Sequence, residues 1–229
     1  MLFFVGSLFP ALLTGVAVGN IYAGIPMDAA GNYIGVPLLG LVTPFTLLCG
    51  LLGLAMMLAA GACWLALKAP MGSDLRKRSV SIRRPLQIAA CVLFVLVSVY
   101  GHFVIQPAMD PALGVLRWVF VLLFVAALVG SLVLAARDEA DLPVFVLQSA
   151  AAFALVFLLA TSMFPNLVVA SADSIGPALT IANSVAADST LFWMTLITCV
   201  GVPLVLAYHV VTYRLFAGRV TDEDLEGGY

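Results

Sequence analysis

The sequence predicts an all-α protein, a polytopic membrane helical bundle with about six transmembrane helices. Three observations carry this. Six long apolar stretches occupy most of the 229 residues, hydrophobic residues make up 63% and charged residues only 10%, and nine of the ten Lys and Arg fall on one side of the stretches. Each stretch matches the roughly 20 residues that cross a ~30 Å hydrocarbon layer as a helix. A soluble domain carries about 25% charged residues. The formal net charge of −2 and the scatter of the cations exclude a basic groove, so no nucleic-acid partner is predicted.

The first stretch, Leu2–Gly24, follows Met1 directly. No cationic segment precedes it and no small-residue cleavage site follows before Asn20, so it reads as a span and not as a signal peptide. Gly15, Gly19 and Ala23 place small residues on one face, where a second helix can approach closely. Packing within the chain is the favoured partner for that face, with a subunit contact as the alternative. Residues 25–42 then form a polar connection with Asp28, Asn32 and Tyr33 and no cation.

The second stretch, Thr43–Leu67, ends at Lys68. The connection after it holds Lys68, Arg76, Lys77, Arg78, Arg83 and Arg84. The third stretch, Pro85–Gln106, leaves through a short turn around Pro107–Pro111 into the fourth, Pro111–Ala136, which ends at Arg137. Asp141 and Pro143 make a good start for the fifth, Leu142–Phe164. Residues 165–189 form a second long connection without a cation. Asp188 or Ser189 is the expected cap of the sixth, Thr190–Leu215. Pro10, Pro44 and Pro203 lie within or near the stretches and are tolerated there because neighbouring groups re-satisfy the freed carbonyls. We divide the chain into a transmembrane bundle, 1–215, and a tail, 216–229, with Arg219 and the acids Asp222, Glu223, Asp224 and Glu226. Cytoplasmic loops carry the Lys/Arg excess, so both termini are expected in the cytoplasm.

The residues with chemistry are few. Cys49, Cys63, Cys91 and Cys199 lie inside spans without ligand spacing and read as small hydrophobes. Ser98, Gln148, Thr161, Thr195 and Thr198 are polar groups within spans. They form either a polar path or, as favoured, bonds back to their own helix or across to a neighbour. His102 and His209 are the two histidines. Haem ligation or proton relay is the sharp reading and an interfacial side chain the favoured one. Arg117 is the cation off the cation-rich side; pairing with Asp110 or a lipid phosphate is favoured, with a quinone- or partner-facing role as the sharper reading. No span carries an acid near its centre, where ion-coupled transporters place one. No P-loop, H-E-x-x-H or G-x-S-x-G occurs. No catalytic, cofactor-binding or metal residue is assigned.

Several segments resemble subunit II of the cytochrome bd family of bacterial quinol oxidases. They are Phe4-Val-Gly-Ser-Leu-Phe-Pro10, Gly15-Val-Ala-Val-Gly-Asn20 and Gly24-Ile-Pro26; Leu41-Val-Thr-Pro-Phe45, with Thr43 where Asn is common; Ser162-Met-Phe-Pro165; Ala178-Leu-Thr-Ile-Ala-Asn183; Gly201-Val-Pro-Leu-Val-Leu-Ala-Tyr208; and Gly218-Arg-Val-Thr-Asp-Glu-Asp-Leu225. They run in order along nearly the whole chain. The resemblance begins at about the family's fourth helix, so the acids of the family's proton path are expected in a part this chain lacks. A fragment, a split subunit or a truncated gene would each account for that.

The resemblance implies a membrane subunit of a complex that oxidises quinol and reduces oxygen in the aerobic respiratory chain. Haems b and d are then expected on the partner, subunit I, which this chain packs against and stabilises, with small accessory subunits in some complexes. Some members hold a bound quinone with a structural role. The expected location is the bacterial cytoplasmic membrane. A small-solute transporter and a non-functional remnant of the oxidase subunit are the alternatives.

Overall fold

The computed structural model describes residues 2–105, 110–137 and 141–220. Six helices are long and apolar enough to span a membrane: α1 (Leu2–Ala23), α2 (Pro44–Lys68), α3 (Asp74–Tyr100), α4 (Gly114–Ala135), α5 (Asp141–Met163) and α6 (Asp188–Leu215). The protein is a multi-pass helical membrane bundle, as the apolar stretches predict. Gln106 and Pro107, where a turn is expected, Asp138 and Glu139, and the tail acids lie outside the described residues.

Local sequence fixes the helix starts. Thr43 caps α2: its Oγ1 accepts from Thr46 N, and Thr46 Oγ1 accepts from Thr43 N. Pro44 follows at the first helical position, where its missing N–H costs nothing. Thr43 thus supplies a full capping box.

Ser73 caps α3 by accepting from Arg76 N, so the helix begins at Asp74, about three turns before the predicted Pro85. The segment expected as a loop is helical from there on. Charged residues that form good helices, a capping Ser and a first-turn acid favour it, and Pro85 lies inside the helix. At its other end α3 runs on as a π-helical turn, Gly101–Ile105. The expected cap of α6 is not seen: Ala187 occupies the capping position without a side-chain bond, and Asp188 sits inside the first turn.

Helices α2 to α5 share one core. Leu52, Ala55 and Met56 of α2 meet Ala90 of α3, Phe124, Ala127 and Leu128 of α4, and Ala151 and Ala154 of α5. Ala55, Ala59, Ala62 and Ala66 are all buried on α2. Their three- and four-residue spacing puts them on one face and lets the neighbours approach.

Helix α1 packs on α2 through the small-residue stripe, as favoured. A Cβ on Gly15 would lie 2.7 Å from Cys49 O, and one on Gly50 would lie 2.8 Å from Val16 Cγ2. Side chains at these glycines would force the helices apart. Helix α6 stands differently: none of its residues is buried.

The two cation-free connections knit together at one end of the bundle. Residues 166–168 and 179–180 form a short antiparallel pair, β1 (Asn166–Val168) and β2 (Leu179–Thr180), an addition to the all-α expectation. Ile25 bridges Ala170. Met27 is fully buried, its N–H donates to Ser174 Oγ, and that hydroxyl donates to Ile25 O.

Candidate functional site

At the opposite end the cations gather around one acid. Asp141 opens α5 with its side chain only 3% exposed. Arg83 Nη1 donates to Asp141 Oδ1 at 2.8 Å, while Arg76 and Arg219 donate to Oδ2 at 2.9 and 2.7 Å. Arg83 is 1% exposed, and its other terminal nitrogen donates to Ala135 O at the end of α4. Arg219 also donates to Ala66 O and Ala69 O at the end of α2.

One carboxylate thus ties together α3, α5 and the segment after α6. Through the same guanidiniums it reaches the last carbonyls of α2 and α4, the negative ends of those helix dipoles. Lys68 completes the clasp. Its Nζ donates to Phe216 O and Gly218 O and lies 5.2 Å from the Trp64 ring centre, and Val220 N donates to Lys68 O. The first residues of the expected tail are therefore docked on the bundle.

A polar chain continues inward from Arg83. One turn along α3, buried Gln87 donates to Ser131 Oγ at 2.6 Å, and Ser131 donates to Val144 O. Gln87 also reaches Gln148 Oε1 at 3.4 Å, and Gln148 points its amide at Met56 Sδ. Gln87 Oε1 is buried with no hydrogen-bond partner among the described residues. The groups sit on two stripes, Arg76–Arg83–Gln87 on α3 and Asp141–Gln148 on α5, at separations of seven and four that keep one helical face.

The other polar residues singled out from sequence do not assemble. Thr161 bonds back to Phe157 O and Thr198 to Met194 O, while Ser98 and Thr195 are exposed. Gln148 alone joins the buried chain, across to a neighbour. Arg117 donates to the backbone carbonyl of Asp110, whose carboxylate accepts instead from Ala112 N. The predicted pairing thus runs through the main chain. The four cysteines are free thiols.

The residues do not fit a haem. His102 is exposed on the π-helical turn beside Phe103. His209 is exposed on α6 with Nδ1 held 2.7 Å from Val205 O. Among the described residues no three His, Cys, Asp or Glu cluster as metal ligands.

Residues 1–216 match the family model for cytochrome bd terminal oxidase subunit II. A probable cytochrome oxidase subunit 2 of Haemophilus influenzae is 29% identical over 247 residues, covering 95% of this chain and 64% of that protein. The cytochrome bd-I ubiquinol oxidase subunit 2 of Escherichia coli K12 is 27% identical over 271 residues, covering 97% of this chain and 66% of its own length. The chain thus spans just under two thirds of these relatives. With six membrane-length helices and a match over nearly its whole length, the chain belongs to the cytochrome bd terminal oxidase subunit II family.

Proposed function

We propose that this chain serves as the non-haem membrane subunit of a bd-type quinol:oxygen oxidoreductase, packing against and stabilising a haem-bearing subunit I. Family membership supports the complex. The observation that carries the role is α6: 28 residues long, it buries none of them and touches the bundle mainly through Trp64–Tyr213 and the clasp beneath it. A helix left this bare offers its surface to another membrane component. Haems b and d belong on subunit I in this reading, and quinol is the complex's substrate. The bundle comprises residues 1–215. The Asp141 end faces the cytoplasm of a bacterial inner membrane, because the exposed cations collect there.

The test is co-expression with a haem-bearing subunit I and purification through a tag on this chain. Co-elution of haem with quinol-dependent oxygen uptake is expected. A stable chain that never retains the partner refutes the proposal, and solute uptake by this chain alone in proteoliposomes would replace it with a transport function.

A further inference from the structure

The cations at this end of the bundle divide into two sets. Arg76 and Arg83 turn inward to Asp141, and Lys68 and Arg219 close the clasp. Arg78 does neither: it is exposed, and its side chain makes no hydrogen bond or ion pair among the described residues. It lies one turn before Ile82, on the face of α3 that borders an open apolar trough between α2 and α3. Met57, Leu58, Gly61 and Leu65 line one wall, and Ile82 and Leu86 the other. The trough has a volume of about 560 Å³. From Met57 to Leu65, nine residues, α2 rises about 12 Å along its axis. A Cβ added at Gly61 would meet nothing within 4 Å, so this glycine serves no close helix contact and leaves the floor of the trough open.

We propose that this trough is a binding site for one anionic phospholipid, with an acyl chain along α2 and α3 and its phosphate on Arg78. The two halves fit the two ends of such a lipid. The walls are apolar and belong to two membrane-length helices, and Arg78 lies one helical turn beyond Ile82, toward the end where the cations gather. Arg suits a phosphate because its planar donors pair with two oxygens together. An anionic headgroup is favoured over a zwitterionic one because the neighbouring Lys77 and Arg84 are also exposed and each cation near the surface adds attraction. This inference needs only the membrane location, so it stands or falls separately from the oxidase reading.

The experiment measures thermal unfolding of the full chain in detergent against added lipid, for the unsubstituted protein, Arg78→Gln and Gly61→Leu. The probes are dioleoyl phosphatidylglycerol, dioleoyl phosphatidylethanolamine and soluble glycerol phosphate. Phosphatidylglycerol is expected to raise the midpoint more than phosphatidylethanolamine, and glycerol phosphate to leave it unmoved. Arg78→Gln should weaken the phosphatidylglycerol response about fivefold and remove the preference between the two lipids. Gly61→Leu, which fills the trough without a clash, should blunt the response to both. The proposal is overturned if both variants keep the unsubstituted preference, or if glycerol phosphate reproduces the shift.

Discussion

Removing the charge of Asp141 should unfold this bundle more readily than removing any one of its arginines. Asp141→Asn keeps the shape of the side chain but takes from Arg83, 1% exposed, the carboxylate it meets at 2.8 Å. Breaking a buried pair in this way costs about 3–5 kcal/mol. The Arg76 and Arg219 side chains, 19% and 28% exposed, can reach solvent and add at most about 1 kcal/mol each. Arg83→Met is milder, because Asp141 keeps two guanidiniums; losing the charge-assisted bond to Asp141 costs about 1.5–3 kcal/mol. The double variant removes both buried charges, so its cost should fall below the sum of the singles by about 0.5–3 kcal/mol. Equilibrium unfolding in mixed micelles, followed by tryptophan fluorescence, measures all three. Additive costs, or an Arg83→Met penalty above that of Asp141→Asn, would refute the account of Asp141 as the hub.

Gly15→Leu should push α1 off α2 at a cost of about 1–3 kcal/mol and speed thiol labelling of Cys49, which the stripe covers; Gly6→Leu, with open space at its Cβ, should do neither. Ser131→Val takes the best acceptor from the buried Gln87 amide and should cost about 1–3 kcal/mol. Gln87→Leu also removes an oxygen that has no partner, so it should cost less in the same unfolding assay. Asp28 accepts from Asn32 and from backbone N–H groups, which hold its carboxyl below the ordinary value. A depressed folded pKa means that the turn's contribution is full above about pH 3.9 and is lost as pH falls through the lower folded value. Amide exchange at Ala30 and Asn32 should accelerate only on that descent, and unchanged protection well below it would refute the assignment.

The spans were legible because hydrocarbon thickness and apolar length are matched one to one. The Gly15–Gly19 stripe gave its partner type but not the address, since Gly50 is a small residue in a helix full of them. Asp141 was read as a helix start, which it is. Its larger role was hidden because its partners lie 58 to 78 positions away. A signal existed in Arg76, Arg83 and Gln87 sharing one helical face, with Asp141 and Gln148 sharing another. The start of α3 is hidden in the sequence because its cations resemble a loop, although at the membrane surface a helix carries them readily. Asp188 and Ser189 both suit a cap by type, and only backbone geometry sets Ala187 there.

The joined outer connections impose an order on synthesis. Ile25 to Met27 close against Ala170 and Ser174, and the Met27–Ser174 bond spans 147 positions. At roughly 5–20 residues per second, a ribosome needs about 7–30 s to make the missing half of that contact. Until then Met27 has no burial site and the exit of α1 has no lid, although α1 and α2 can already pair through their glycines. The nascent chain therefore holds an unfinished outer surface while four further helices pass into the membrane, and that surface closes only after α5 has been inserted.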